Sequence, residues 1–269
     1  MSKAAQPPRS EAEPSGVVSA RDGAAQPPRS DGEPSGGRKA RPLVDLALAR
    51  CGVPHGFGVR GSVAPDRCGR PRQVHGAAVV SAEACRAPGP PPEGDAVVAT
   101  APGDVVGVVT ADCVPILLAV GGGRAVAAIH AGWRGLVRGV VEAGVAELVR
   151  ASAVAVTRVT AAIGPHIGPC CYEVDAPVLE ALRARLGAEA MAHARPVRAG
   201  HAMLDLGALA RLALRRAGVG EAAIGSDAAL CTACDRERFH SYRRDGPGAG
   251  RLVHFVAIPE RLDTASGEP

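Results

Sequence analysis

The sequence predicts a single α/β domain of the mixed α+β type, in which mixed sheets are flanked by helices. Short apolar runs bounded by turn residues indicate strands, and longer runs with apolar residues at helical spacing indicate helices. The two kinds of run intermingle without the regular alternation of a doubly wound nucleotide-binding fold. Of the 269 residues, 46% are hydrophobic but only 2% aromatic, so the core must consist mainly of Val, Leu, Ile and Ala.

The first 42 residues form a separate predicted region. The segment Ala-Ala-Gln-Pro-Pro-Arg-Ser begins at Ala4 and again at Ala24, and each copy is followed by Glu-Pro-Ser-Gly. A chain so rich in Pro, Ser and Gly cannot bury enough surface to offset its ordering entropy. We therefore predict a disordered tail with a tandem repeat at 1–42 and a folded domain at 43–269. A short linear binding motif is the alternative for the tail.

The elements of the folded domain are predicted in chain order from periodicity and turn signals. The strands are expected at 56–59, 77–80, 95–100, 104–111, 154–163 and 252–258, and the helices at 43–49, 134–150, 176–186 and 204–217. The helix at 134–150 has Val137, Val141 and Val145 at helical spacing, and Arg138 and Glu142 are expected to pair on its exposed side. Glycines 187 and 218 end the next two helices.

The stretch 111–134 carries more chemistry than the rest of the chain. Two apolar runs are joined by three glycines at 121–123, the pattern of two strands and a tight turn. Cys113 stands at the start of the first run and His130 at the end of the second. If the runs pair antiparallel, the thiol and the imidazole are neighbours at one edge of a sheet.

His75, Cys113 and His130 are the candidates for a joint site, because each lies where an apolar run meets a turn. Imidazole and thiolate are ligands that Zn²⁺ prefers, and three protein ligands leave the open position of a catalytic zinc. Asp112 is a candidate to orient a ligand or to act as a base. Two alternatives remain open: Cys113 is a nucleophile with a histidine as its base, or these are ordinary buried side chains.

Arginines provide the candidate anion-binding groups. Arg134 lies where the predicted helix at 134–150 begins, and a helix N-terminus with an adjacent arginine favours phosphate. Arg243 and Arg244, beside Ser241, form a second cationic cluster. Ordinary solvated arginines are the alternative in both places. Cys231 and Cys234 have metal-like spacing, but no second pair accompanies them in the sequence, so a second zinc is not expected.

Several classes of function are disfavoured by composition. The N-terminus lacks the order of a signal peptide, and no apolar run approaches the roughly 20 residues of a membrane span. We therefore expect a cytoplasmic protein without a membrane partner, whose eight cysteines are free thiols or metal ligands. A net charge of +4 gives no argument for nucleic acid. A monomer and a small homo-oligomer are both compatible with the sequence.

Seven ordered motifs resemble the YfiH-like family, long labelled multicopper polyphenol oxidase or laccase-domain proteins. The motifs are Gln73-Val74-His75-Gly76, Thr110-Ala111-Asp112-Cys113-Val114-Pro115, His130-Ala131-Gly132-Trp133-Arg134-Gly135, Ile163-Gly164-Pro165, Cys170-Cys171-Tyr172-Glu173-Val174, Cys231-Thr232 and Ser241-Tyr242-Arg243-Arg244-Asp245. The resemblance covers roughly 56–258 and leaves the repeated tail outside. It implies that 43–269 is a catalytic domain of mixed α/β fold, with zinc held by His75, Cys113 and His130.

The same resemblance implies a purine nucleoside phosphorylase. Its substrates would be phosphate and adenosine, inosine, guanosine or methylthioadenosine, with an adenosine deaminase activity in addition, for which zinc would activate water. Two alternatives are an amide hydrolase that edits a peptidoglycan precursor and a non-catalytic zinc-stabilised binding domain. His166 stands where Cys or a small residue is expected, which bears on fine specificity. Laccase chemistry is disfavoured because no His-x-His pair occurs among the eight histidines.

Overall fold

The computed structural model describes residues 40–260 and confirms the predicted mixed α/β fold. The predicted disordered tail lies outside the described residues except for its last three, of which Ala40 donates a backbone hydrogen bond to Gly61. The strands are β1 (His55–Gly56), β2 (Val79–Ser81), β3 (Ala96–Ala99), β4 (Val105–Thr110), β5 (Val114–Val120), β6 (Ala125–Ala131), β7 (Val159–Ile163), β8 (Glu173–Asp175), β9 (Ala194–Arg198), β10 (His201–Leu204), β11 (Ile224–Gly225) and β12 (Leu252–Ala257). The helices are α1 (Leu46–Arg50), α2 (Ala82–Arg86), α3 (Trp133–Arg138), α4 (Val140–Ser152), α5 (Ala176–Leu186), α6 (Ala188–Met191), α7 (Leu206–Arg216) and α8 (Tyr242–Asp245).

Three mixed or antiparallel sheets organise the described chain. The largest has six strands in the order β11-β7-β5-β6-β3-β2, with antiparallel pairing in its middle and parallel pairs at both ends. Two three-stranded sheets have the orders β1-β12-β4 and β8-β10-β9. The hairpin predicted around glycines 121–123 is therefore the centre of the main sheet.

The main sheet is buried on both faces, which explains the nearly continuous apolar runs of β5 and β6. Side chains alternate between the faces of a strand. Ile116 and Leu118 of β5 accordingly belong to a core with α4 and α7, whereas Leu117 and Ala119 belong to a second core with β4 and β12. The domain thus has three layers, namely the helices, the main sheet and the small sheet. The candidate site lies at the open end of the central hairpin.

The prediction of one continuous helix at 134–150 is wrong. Gly139 adopts a left-handed conformation (φ 84°) between α3 and α4, so the chain turns after six helical residues. The predicted pair of Arg138 and Glu142 is also wrong. Arg138 instead donates to the carbonyl of His75, and Glu142 forms an ion pair with Arg185.

The strand predicted at 154–163 is shorter than expected, because a turn of 3-10 helix at Val156–Arg158 precedes β7. The remaining predicted strands and helices are present with ends displaced by a few residues. None of the helices among residues 40–260 is long and apolar enough to cross a membrane.

Candidate metal centre

The central hairpin places Cys113 and His130 at the same edge of the main sheet. In the antiparallel register Val114 pairs with Ala131 and Pro115 with His130, so Cys113 stands one residue before the paired strand. The loop before β2 brings His75 to the same edge. One ligand atom from each of the three residues lies within 4.8 Å of the other two, and the imidazole centroids of His75 and His130 are 4.8 Å apart.

The loop that carries His75 is shaped around the buried carboxylate of Asp95. His75 adopts a left-handed conformation (φ 56°), which is uncommon for a residue with a side chain. Asp95 Oδ1 accepts the N–H of His75 at 2.9 Å, while Oδ2 accepts those of Gly76 at 2.6 Å and Val74 at 3.2 Å. These bonds stabilise the strained turn. Burial opposes ionisation of Asp95, but the hydrogen bond and charge of His130, together with the N–H groups of Gly76 and Val74, lower its pKa.

Asp95 also orients the second imidazole. Its Oδ1 lies 2.8 Å from Nδ1 of His130, which leaves Nε2 as the nitrogen available to the thiol. A carboxylate behind a metal-binding histidine fixes the ring and its tautomer. Asp95 thus makes the orienting contact for which the sequence suggested Asp112, whose alternative role as a base stays a prediction. Asp112 instead accepts the Thr232 hydroxyl at 2.6 Å and the backbone N–H of Arg243 at 2.6 Å.

The thiol and the imidazole stabilise each other's charged forms. Burial favours the neutral thiol, but the charge and hydrogen bond of His130, with a contribution from His75, lower the pKa of Cys113 to about 6. Burial likewise opposes the imidazolium, but the Cys113 thiolate and the Asp95 carboxylate raise the pKa of His130 to about 9. At neutral pH, without a metal, the pair is a thiolate beside an imidazolium.

This donor set fits a zinc ion. Two nitrogens and one sulfur converge, with Cys113 ready as thiolate. The three ligands range from exposed His75 through half-buried Cys113 to buried His130, so the site opens to solvent on one side. Gly132 leaves the space beside them free, because a Cβ atom there would lie 3.0 Å from the sulfur of Cys113 and 3.2 Å from Nδ1 of His75.

A surface groove of about 400 Å³ has none of the three ligands in its lining, but it is bordered by residues close to them in the chain or in charge contact with them. Trp133, next to Gly132, and Tyr172 contribute aromatic walls, and Arg243 lies at its edge. Burial and the nearby Cys113 charge raise the pKa of Tyr172 to about 12, with Arg243 and Arg134 opposing them. The phenol is therefore a neutral hydrogen-bond donor near the ligand set.

The predicted arginines occupy different surroundings. Arg134 is exposed and stacks on Trp133, with its guanidinium carbon 4.6 Å from the ring centroid. Arg243 stacks on Tyr172 at 5.0 Å, and its Nη1 donates to the carbonyls of Cys171 and Glu173. Because α3 has only six residues, Arg134 itself, and not a long helix dipole, provides the positive charge.

Arg244 and Ser241 are engaged inside the protein. The Arg244 guanidinium donates to the carbonyls of Thr232, Ala233 and Phe239, and it pairs with Asp245. The buried Ser241 hydroxyl accepts the backbone N–H of Arg244 at the start of α8. These contacts give both residues a structural task, whereas Arg243 has access to the groove.

His166, the departure from the family pattern, is buried in the loop after β7. Its Nδ1 contacts the carbonyl of Gly164 at 2.8 Å, and burial lowers its pKa. The ring packs against Gly207, where a Cβ atom would come within 2.4 Å of it. The absence of a side chain at 207 thus accommodates the larger residue at 166.

Sequence reasoning missed Asp95 as a site residue. The sequence pattern places Asp95 in a buried strand, and its position directly before the apolar run 96–99 is the local signal of a polar role. The groove is also not predicted, although Trp133 and Tyr172 are two of only six aromatic residues in the chain.

Comparison with known proteins places this geometry in a family. The family model described as multi-copper polyphenol oxidoreductase laccase matches residues 59–259. A purine nucleoside phosphorylase YfiH from Shigella flexneri is 42% identical over 60% of this chain and 63% of its own length. A purine nucleoside phosphorylase from Xylella fastidiosa is 41% identical over 65% of this chain and 66% of its own, and an adenosine deaminase RL5 from an unknown prokaryotic organism is 41% identical over 58% and 59%. The chain thus spans about two thirds or less of these relatives' lengths.

Solved structures agree with this assignment. YlmD from Geobacillus stearothermophilus is 33% identical with a TM-score of 0.67, and the match covers 72% of this chain and 74% of that one. Within residues 40–260, the groups of three or more metal-ligating side chains are the ligand set above and a cluster of four cysteines. Neither resembles the many imidazoles of a multicopper centre. From its motifs, its fold and these matches, the chain belongs to the YfiH-like family, whose family model carries the laccase description.

Proposed function

We propose that this protein is a zinc-dependent purine nucleoside phosphorylase. It would cleave adenosine, inosine, guanosine and methylthioadenosine with phosphate to the free base and a ribose 1-phosphate. The observation that carries the proposal is the convergence of His75, Cys113 and His130. A groove lined by Trp133 and Tyr172, on whose rings Arg134 and Arg243 stack, supports it. The names of relatives at 41–42% identity support the activity.

The three ligands would hold zinc through two nitrogens and one thiolate. When bound, zinc supplies a Lewis acid beside the groove. Asp95 keeps Nδ1 of His130 engaged, so that Nε2 stays directed to the site. Free thiols at all eight cysteines support the cytoplasmic location expected from the sequence.

Phosphorolysis joins a phosphate oxygen to C1′ of the nucleoside and breaks the bond from C1′ to the purine. The protein must hold the two reactants in line and stabilise the charge that develops. Arg243 suits the phosphate, because the carbonyls of Cys171 and Glu173 fix its guanidinium at the groove. Arg134 adds a second positive charge, while Trp133 and Tyr172 offer flat surfaces to the purine. The neutral Tyr172 phenol can donate a hydrogen bond to the leaving base.

Adenosine deamination is the second activity that we propose. The relative named adenosine deaminase RL5 is 41% identical to this chain, and it supports a deaminase reaction at the same site. The product would be inosine, itself a proposed substrate for phosphorolysis. One purine-binding groove would then serve both reactions.

Amide hydrolysis of a cell-wall precursor is the competing reaction. The lowered pKa of Cys113 also suits a nucleophilic cysteine, with His130 as the proton carrier. The two proposed roles of Cys113 differ in one respect. As a zinc ligand its thiolate is bound to the metal, whereas as a nucleophile its thiolate must be free to attack the substrate.

Incubation of the purified protein with inosine, with and without phosphate, tests the proposal. We expect release of hypoxanthine only with phosphate, and its loss in Cys113→Ala, whereas Cys85→Ser serves as a thiol control away from the site. Arg243→Gln should raise the KM for phosphate more than it changes the KM for inosine. Absence of base release from every purine nucleoside, together with cleavage of a UDP-linked muropeptide, would establish the hydrolase instead.

A further inference from the structure

Four cysteines outside the candidate metal centre meet at one point of the surface. They are Cys170, Cys171, Cys231 and Cys234, here called the four-cysteine cluster. The sulfur of Cys234 lies 3.4 Å from that of Cys170 and 3.4 Å from that of Cys171, and all four sulfurs lie within 4.8 Å of one another. The sequence shows no second cysteine pair near Cys231 and Cys234. In the folded protein, however, the adjacent residues Cys170 and Cys171 from another loop lie next to them, so the prediction that no second pair accompanies them is wrong.

The distances suit a single tetrahedral ion. With Zn–S bonds of about 2.3 Å, the edges of a sulfur tetrahedron are about 3.8 Å long. Two of the sulfur–sulfur distances are 3.4 Å and none exceeds 4.8 Å, so one ion can reach all four sulfurs after small side-chain adjustments. Disulfide-bonded sulfurs would lie about 2.05 Å apart. An iron–sulfur cluster places several irons and sulfides between its cysteines, which requires a wider cage than this one.

Backbone contacts prepare the two loops for this arrangement. The loop after β7 and the loop before α8 are joined by hydrogen bonds from His166 N to Leu230 O and from Thr232 N to His166 O. The N–H of Gly168 donates to the sulfur of Cys231 at 3.3 Å, a contact that favours the thiolate. A Cβ atom at Gly168 would lie 3.3–3.5 Å from the atoms of Cys170 and Cys231, so a glycine lets the loop approach the sulfurs closely.

We propose that the four-cysteine cluster binds one structural zinc ion as a tetrathiolate, separate from the ion proposed at His75, Cys113 and His130. Four soft thiolate ligands, which can adopt the tetrahedral geometry of structural zinc sites, select zinc among common divalent ions. Four protein ligands leave no position for a substrate, which makes the site structural. Cys170 and Cys234 are exposed, so the ion has a path of entry from solvent.

The position of the cluster indicates what such an ion stabilises. Tyr172 follows Cys171 directly and forms part of the groove. Thr232 follows Cys231 and donates to Asp112, the residue before Cys113. A zinc ion that crosslinks the two loops would therefore fix the position of Tyr172 in the groove relative to the candidate metal centre.

The count of zinc per chain tests the proposal on the full-length protein, purified under reducing conditions. We expect two zinc ions in the wild type and one in either Cys113→Ala or Cys234→Ser. Cys85→Ser, a control thiol outside both groups, should keep two. In Cys113→Ala loaded with cobalt(II), the thiolate-to-cobalt charge-transfer absorption should persist, since within residues 40–260 the four-cysteine cluster is the metal-ligating group that remains.

Three results would overturn the proposal. One is a single zinc in the wild type that Cys234→Ser leaves in place. Another is the absence of charge-transfer absorption in cobalt-loaded Cys113→Ala, a measurement that does not depend on the folding of Cys234→Ser. The third is the recovery of the four cysteines as disulfides after thiol alkylation of the protein as purified from reducing cytosol.

Discussion

At the scale of single residues, Asp95 combines two tasks that the sequence does not connect. Its carboxylate accepts the N–H groups of Val74, His75 and Gly76, and it also contacts Nδ1 of His130. One buried group therefore shapes the loop of one ligand and orients the ring of another. A change at this position acts on both histidines together.

Replacement of Asp95 by Asn should weaken zinc binding at the candidate metal centre by about 10–100-fold, the range for groups that orient metal ligands. The amide removes the charge beside His130, and its NH₂ group faces backbone donors. Asp112→Asn is the matched control, because Asp112 contacts Thr232 and Arg243 and no ligand ring. Chelator competition measures both affinities. Equal effects of the two substitutions would restore Asp112 as the orienting residue.

A methyl group at Gly132 should also weaken zinc binding, by about tenfold or more, by analogy with other changes beside metal ligands. The backbone there (φ −79°, ψ 171°) suits alanine, so the effect comes from contacts with Cys113 and His75. Gly220→Ala is the control, since a Cβ atom there has no neighbour within 4 Å. Chelator competition should separate the two variants, because only Gly132→Ala loses affinity. Thermal melting without metal is the folding control, in which both variants should keep the wild-type melting temperature. Unchanged affinity in Gly132→Ala would contradict the packing described.

At the scale of elements, the break at Gly139 redirects the chain between the site and the core. The residues after it, from α4, pack on the main sheet, while α3 remains beside the ligands. Apolar spacing alone continues across 134–150, which is why the sequence predicts one helix. The left-handed conformation of Gly139 instead separates the segment into α3 and α4.

Gly139→Ala discriminates between the two forms of this segment by the sign of its effect. In a broken helix, alanine must adopt φ 84°, which costs about 1–2 kcal/mol of unfolding free energy. In a continuous helix, the same substitution would add about 1 kcal/mol of stability. Urea unfolding of both proteins measures the difference, and we expect a loss.

The parts of the site that the sequence predicts are those made by local pairing. A three-glycine turn brings Cys113 and His130 together within one hairpin, so their proximity follows from a short stretch of chain. Asp95 joins them only through pairing of β3 with β6, and Cys170 meets Cys234, which lies 64 residues later in the chain. Neither of these long-range contacts produces a periodic pattern in the sequence from which it could be predicted. His75 is a candidate from its place where an apolar run meets a turn, and the motif resemblance adds the expectation that it binds zinc with Cys113 and His130.

At the scale of the whole molecule, His254 ties the small sheet together beneath the main one. Its Nδ1 accepts the N–H of Gly58, and its Nε2 lies 2.8 Å from the hydroxyl of Thr110. With Nδ1 as acceptor, the ring is neutral and Nε2 carries the proton. Burial lowers the pKa of His254 to about 3.

This histidine makes the domain less stable in acid. Below about pH 6.5 the unfolded chain binds a proton at His254 that the folded chain does not bind until about pH 3. Unfolding free energy should therefore fall with decreasing pH in this window, by up to about 1.4 kcal/mol per pH unit from this group. His254→Asn should lower stability at pH 7.5 but flatten its pH dependence. Urea unfolding at pH 7.5, 6 and 5 with chelator present tests this, and parallel curves for the two proteins would contradict it.

The carboxylate of Asp95 has a further consequence for how the protein handles metal. The N–H groups that it accepts need a partner whether or not an ion is bound, so the loop of His75 takes its shape from the fold itself. Binding of the proposed ion would then have no folding step to drive, unlike binding in a zinc finger. Occupancy of the site would follow the supply of metal while the chain stays folded.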